Sequence, residues 1–387
     1  MELSNLAKSI NKSQIRVMYD RARLLQADDV LNFTVGEPDF ATPQEIIQVA
    51  NEYLSKGFTK YTPNSGIQEL RDAIAEKFSP RIHPIDAQTE VMVTMGATEA
   101  ILVAMQIVLN PGDEIVAIAP MFASYINQFK IVGCTPVIVN ATEENGFVPT
   151  ASQIEAAITP KTKMLLLNSP CNPTGAEIPA EELERIAQVA IRHDLVVISD
   201  EVYKTIRYRD TPYVSIASLP GMAERTIVVD AFSKAYAMAG WRLGFAIGPQ
   251  WLISRMPSTH DVTVACVNAP FQYAGAYALR CCDGAVEEMR EKFRRRKDLI
   301  VSGIRAIPGM TCLDPAGTFY LWVNISSLGV SSEEFCYDLL EKAHVAIVPG
   351  NGFGTSGEGY VRITYATNED NLLRGIERIA RYTKSFT

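Results

Sequence analysis

Lys234 is the residue of this 387-residue chain best placed for covalent chemistry. It follows Ser233 at the end of the apolar run Thr226 to Val229. Lysine is seldom buried without a partner or a task. Partial desolvation lowers its pKa, and the neutral amine is the form that attacks an aldehyde. Ser233 and Arg242 flank it with a hydroxyl and a guanidinium, both suited to a phosphate. Out of context, the same residues read as a surface lysine beside a structural arginine.

Four further segments carry residues of this kind. Asp200-Glu201-Val202-Tyr203 follows the apolar run Val196 to Ser199, so Asp200 sits at a strand's C-terminal end, where ligands of such sheets bind. A helix cap or turn acceptor is the structural alternative for Asp200, and Glu201 reads as structural. Asn172-Pro173-Thr174-Gly175 follows Met164 to Asn168 and is, by composition, also a plain turn. Gly96-Ala97-Thr98 lies between the run Val91 to Thr94 and the apolar helix Ala100 to Leu109. Small residues there free a helix N-terminus to hold a phosphate. Arg362 stands in the otherwise apolar run Tyr360 to Tyr365, where a guanidinium needs an anion, either a ligand's or a structural ion pair's.

The elements that must position these residues alternate between strand and helix. Thr42 is expected to cap a helix with Pro43 at its first position, followed by Ile46, Val49, Ala50, Tyr53 and Leu54 at helical spacing, with Gly57 stopping it. Ile67, Leu70, Ile74 and Phe78 mark a second helix. The apolar runs at 91–94, 114–119, 136–140, 164–168, 196–199, 226–229 and 244–248 are mostly separated by helix-length segments such as Ala180 to His193. Unbroken apolar strands divided by helices indicate an α/β fold, a mainly parallel seven-stranded sheet covered by helices on both faces. After about residue 280 the pattern changes to a charged helix (Ala285 to Ile304) and two strands, Thr318 to Val323 and Tyr360 to Tyr365. The expected division is a large domain over 36–282 and a smaller α+β domain built from 1–35 and 283–387, with the site between them.

Composition narrows the functions. The net charge of −8 and pI near 5.3 argue against a nucleic-acid partner. The one basic run, Arg294 to Lys297, is expected to be a solvated helix face. Met1 to Ser13 lacks the apolar core of a signal peptide, and no run is long enough to span a bilayer. Seven cysteines without a C-x-x-C pair fit a reducing, cytoplasmic setting without a metal site.

The order and spacing of these segments resemble the fold-type-I, class I/II aminotransferases that use pyridoxal 5′-phosphate. The run Ser233 to Gly244 is similar to that family's lysine segment, except that Ala231 stands where many relatives have glycine or serine. The resemblance implies that Lys234 holds the cofactor as a Schiff base and then serves as general base. It implies that Asp200 keeps the pyridine nitrogen protonated, and that Asn172 and Tyr203 hydrogen-bond the ring oxygen. Gly96, Ala97, Thr98, Ser233 and Arg242 would hold the phosphate, and Phe122 would stack on the ring, although a core phenylalanine is the other reading. Arg362 would grip the substrate's α-carboxylate, with Gly36 of Gly36-Glu37-Pro38-Asp39 and Asn172 assisting. Tyr61 would reach the phosphate of the neighbouring subunit, which makes the expected assembly a homodimer. Cis bonds before Pro120 and Pro173 are expected as well.

The implied reaction transfers an amino group between an amino acid and a 2-oxo acid, with glutamate and 2-oxoglutarate as one pair. Two alternatives keep the fold: a C–S β-lyase using the same residues, and a cofactor-binding regulator, for which no DNA-binding segment is legible before residue 36. Tyr19, Tyr125 and Tyr320 are candidate pocket residues. Cys171 reads as a small buried spacer, and no histidine is assigned a role.

Overall fold

The computed structural model describes every residue except Gln26, Asp28, Ser385 and Thr387. A helix at Gln14–Leu24 leads into a two-residue strand, β1 (Leu31–Asn32), whose partner arrives much later in the chain. The seven expected strands follow as β2 (Val91–Thr94), β3 (Glu114–Ala119), β4 (Thr135–Asn140), β5 (Thr162–Asn168), β6 (Val196–Asp200), β7 (Thr226–Ala231) and β8 (Gly244–Ile247). They form one sheet in the order β2-β8-β7-β6-β5-β3-β4. Only β8 opposes the others, pairing antiparallel with both β2 and β7.

The unbroken apolar runs have a direct cause. Met164 and Leu166 of β5 enter one core cluster, while Leu165 and Leu167 enter another on the opposite face. A strand covered on both sides needs apolar residues at every position rather than at alternate ones. The helix Ala97–Val108 is apolar for the same reason, burying Ala100, Ile101, Val103, Ala104 and Met105.

The remaining strands are β9 (Thr311–Cys312), β10 (Tyr320–Asn324), β11 (Val345–Ala346), β12 (Val348–Pro349) and β13 (Tyr360–Thr364). Four of them make an antiparallel sheet in the order β12-β13-β10-β9, and β11 pairs in parallel with β1. Helices Ser332–Ala343 and Glu369–Thr383 accompany this smaller sheet, and Asp283–Arg305 links it to the large one.

Two local expectations are corrected. Thr42 does not cap the helix Gln44–Ser55; its hydroxyl donates to the Ala237 carbonyl, and Pro43 itself occupies the cap position. That helix ends before Gly57, whose φ of +81° suits glycine. The basic run is not a solvated face, because Arg296 and Lys297 are buried. Arg296 donates to both oxygens of Asp39 at 2.6 and 3.0 Å, and Lys297 pairs with Asp314 at 2.9 Å. A helix packed against the smaller sheet and the helix Glu369–Thr383 turns one side of its charges inward, and carboxylates from other segments make that burial tolerable. The bonds before Pro120 and Pro173 are cis; so is the one before Pro170, which no sequence signal marked.

Candidate active site

The C-terminal ends of β2, β5, β6 and β7 lie along one edge of the large sheet, the edge where ligands of open α/β sheets bind. Asn168 and Asp200 end neighbouring strands in register, and Lys234 follows the end of β7. Because β8 runs the other way, its start falls on this same edge, with Gly244 opposite Thr94. That reversal brings Arg242 to the turn after β2.

A cavity of about 190 Å³ opens at this edge, and residues of the smaller sheet form its far wall. Lys234, Asp200, Tyr203, Ala97, Thr98, Phe122, Asn172, Ser233, Arg242, Gly36 and Arg362 all line it. Gly96 stands just behind as the N-cap of the helix Ala97–Val108. Tyr61 is not among the residues lining the cavity and is 89% exposed.

At one end of the cavity are the groups suited to a phosphate. The helix N-terminus presents free backbone N–H groups at Ala97 and Thr98, with the Ser233 hydroxyl and the Arg242 guanidinium beside it. Arg242 takes a left-handed backbone (φ +55°) and its Nη1 donates to the Ala239 carbonyl at 2.9 Å. A Cβ at position 96 would sit 2.8 Å from its Nη2 and crowd the guanidinium, and the backbone there, with φ +78°, suits glycine. Position 244 is as tight: a Cβ there would meet the Gly96 and Ala97 backbone at 2.6–2.8 Å.

Lys234 extends its amine into the middle, where it donates to the Gly36 carbonyl. Burial lowers its pKa to about 8; the Glu37 carboxylate opposes that fall and Arg362 adds to it. Asp200 is buried, which raises its carboxyl to about 6 despite the hydrogen bond from Tyr125. Tyr125 follows Phe122 by one helical turn, so the residue that walls the cavity also brings the donor for Asp200. Phe122 lines the cavity edge-on to the Tyr125 ring, and Val202 lines it too.

At the other end, Arg362 is fully buried. Its Nη1 donates to Asn172 Oδ1 at 2.9 Å and its Nη2 to the Thr34 carbonyl at 2.6 Å. Its Nε is buried without a hydrogen-bond partner, and among the described residues no carboxylate forms an ion pair with it. Burial accordingly lowers its pKa. A buried guanidinium held only by neutral groups is a strong receptor for a carboxylate.

Several residues contribute that sequence reasoning left without a role. Asn168 donates to the Asp200 carbonyl at 3.0 Å and accepts from the Asn172 backbone at 2.9 Å, tying two site residues together. Nothing in its spacing distinguishes it from an ordinary strand end. The Tyr320 hydroxyl lies 2.9 Å from that of Tyr203. Ile15 adds an apolar wall from the N-terminal helix. Tyr19 stays outside the cavity, among Arg16 and Arg23. Burial pushes the Cys171 thiol up to about 11, which keeps it protonated near neutral pH and disfavours a nucleophilic role. Glu201 is structural as expected, bonded to Ser199 and Ser215.

A family model described as aminotransferase class I and II matches residues 28–379. The chain belongs to that family. It is 43% identical over 384 residues to an aspartate aminotransferase of Pyrococcus abyssi, covering 98% of each chain. It is 41% identical over 388 residues to aromatic-amino-acid aminotransferase 2 of Thermococcus litoralis, covering 99% of each. The structure of aspartate aminotransferase from Thermus thermophilus with maleate matches with a TM-score of 0.93 at 37% identity, over 98% of this chain and 99% of that one. The fold is therefore that of the fold-type-I aminotransferases, and the protein is an aminotransferase. The β-lyase reading loses ground, since relatives spanning the whole chain are aminotransferases. Among the described residues, no helix is long and apolar enough to cross a membrane.

Proposed function

We propose that this aminotransferase binds pyridoxal 5′-phosphate at Lys234 and exchanges an amino group between an amino acid and a 2-oxo acid. The observation that carries the proposal is the convergence of three buried groups on one cavity. These are an amine of lowered pKa, a carboxylate, and a guanidinium without an anion. The donor set fits the cofactor end to end: amine for aldehyde, Asp200 for the ring nitrogen, and Gly96, Ala97, Thr98, Ser233 and Arg242 for the phosphate. Bound, the cofactor supplies an electrophilic carbon and an electron-withdrawing ring.

The chain's own residues do the rest. Arg362 and Asn172, helped by the Gly36 backbone, hold the α-carboxylate and so aim the α-carbon at Lys234. Lys234 Nζ, as a free amine, would remove the α-proton and later deliver it as a general acid. Asp200 keeps a negative charge beside the ring nitrogen, fixed there by Tyr125. Tyr203 and Asn172 would offer donors to the ring oxygen, and Phe122 and Val202, which line the cavity, would supply apolar contacts to the ring. Residues 1–35 and 283–387 form one packing unit in this reading, and 36–282 the other. The assembly is a cytoplasmic homodimer in which Tyr61 reaches the neighbouring phosphate; its exposure in a single chain supports that.

The test is an absorbance spectrum of purified protein before and after single amino acids are added without a 2-oxo acid. A yellow band that bleaches supports the proposal, and the fastest-bleaching amino acid identifies the preferred side chain. A colourless protein that pyridoxal phosphate cannot colour overturns it. Lys234→Ala is expected to lose turnover; an active Lys234→Ala protein, without added amines, overturns the lysine's role.

A further inference from the structure

Tyr203 and Tyr320 come from opposite walls of the cavity, 117 residues apart in sequence, and meet hydroxyl to hydroxyl at 2.9 Å. Both are buried. Tyr320 begins β10, which pairs with β13 of the smaller sheet, and its ring lies 4.3 Å from the guanidinium carbon of Arg362. Its hydroxyl also fills the space over Gly36: a Cβ there would come within 2.0 Å of Oη. One side chain thus touches the residue offered to the cofactor's ring oxygen, the residue offered to the substrate's carboxylate, and the backbone segment between them.

A phenol has one proton to give. If Tyr203 gives its own toward the cavity, its oxygen is left to accept, and Tyr320 is the donor within reach. A hydroxyl that accepts one hydrogen bond becomes a stronger donor in the next, and the dry surroundings enhance this. The ring of Tyr320 meanwhile offers Arg362 a face that charge and shape both favour.

We infer that Tyr320 is a positioning residue of the reaction: its hydroxyl aims and strengthens Tyr203 as a donor, and its ring seats Arg362 for the carboxylate. This rests on the reading that Lys234 holds the cofactor and Tyr203 faces the cofactor's ring oxygen.

The test is a spectroscopic pH titration of cofactor-loaded protein in the absence of substrate. A weaker donor at the ring oxygen raises the pH midpoint of the visible band. Tyr320→Phe, which removes one oxygen and keeps the ring, is expected to raise it by about 0.5–1 pH unit, the shift that one hydrogen bond of ordinary net worth produces. Tyr203→Phe raises it as well, and adding Tyr320→Phe to that variant adds nothing. Gly36→Ala, which displaces the Tyr320 hydroxyl without altering it, moves the midpoint in the same direction and carries the comparison should the Phe variant not load. Propionate, a carboxylate without an amine, probes the other contact. Its dissociation constant stays within about twofold in Tyr320→Phe and rises about fivefold in Tyr320→Leu, which lacks the ring. An unchanged midpoint in Tyr320→Phe, or additive shifts in the double variant, overturns the role at Tyr203. Equal propionate binding in the Leu variant overturns the role at Arg362. A wild-type protein with no visible band at all would instead overturn the underlying reading of Lys234.

Discussion

Lys234 and Arg362 are both cations in a low-dielectric cavity, yet burial prepares them for opposite tasks. For Lys234 it lowers the pKa to about 8, so a usable share of the amine is neutral near neutral pH. Reloading of cofactor-free protein with pyridoxal phosphate should therefore quicken as pH rises toward 8 and level off above it. Stopped-flow absorbance would show this; a rate still climbing steeply to pH 10 would mean the amine is not desolvated. Arg362 stays charged at any accessible pH, and burial leaves it short of an anion instead. Replacing it with lysine keeps the charge but loses the two-pronged geometry. KM for the amino acid should then rise by about 30- to 5,000-fold, the span that 2–5 kcal/mol covers for a buried charge contact, with less effect on cofactor affinity. Tyr125→Phe removes the hydroxyl that holds Asp200. Steady-state kinetics should show kcat falling by about 10- to 150-fold, the span that 1.5–3 kcal/mol covers for one charge-assisted hydrogen bond.

The turn after β2 and the start of β8 work as one element, because their backbones touch. A Cβ at 244 would strike the Gly96 and Ala97 backbone, which cannot move without disturbing the strand pairing of Thr94 with Gly244, and position 96 has a φ of +78° that suits glycine. Gly244→Ala should consequently cost about 1–3 kcal/mol in denaturant unfolding, as overpacked interiors do. It should also weaken pyridoxal phosphate binding, because the displaced atoms lead into the helix N-terminus. Equilibrium dialysis of the variant would read the second effect separately from the first. The helix Asp283–Arg305 is a second element with reach: through Arg296 and Asp39 it anchors the segment that carries Gly36. Its basic residues look like a solvated face on a helical wheel, and what overrides that reading is a carboxylate 257 positions away.

For the molecule as a whole, the proposed dimer makes the sharpest prediction. An aromatic ring 89% exposed in a single chain, on a segment tethered by Asn64 donating to Asp261 at 2.6 Å and by the Thr62 hydroxyl donating to the Val267 carbonyl at 3.3 Å, is presented rather than loose. If Tyr61 serves the neighbouring site, co-refolding of Tyr61→Ala and Lys234→Ala chains should regenerate about a quarter of wild-type activity. Two-fold symmetry puts both lesions in one site of each mixed dimer and leaves the other intact. If Tyr61 acts within its own chain, no site is left intact and no activity returns.

The alternation of seven apolar strands with helices was written in the sequence, because a strand covered on both faces must be apolar at every position. The chemistry-bearing residues were legible for a related reason. Arg362 interrupts an apolar strand and Asp200 ends one, an anomaly that a segment displays by itself, whereas Lys234 and Asn172 lie just beyond strand ends and were marked out by the resemblance of their segments to the family's. Only the tertiary structure decided what depends on two distant segments arriving together. It bonded Tyr203 to Tyr320, tied Asn168 to both Asp200 and Asn172, gave Asp200 its donor in Tyr125, and buried Arg296 against Asp39. Such contacts leave no period in the chain, since periodicity records which face of an element is buried and not which partner will meet it there.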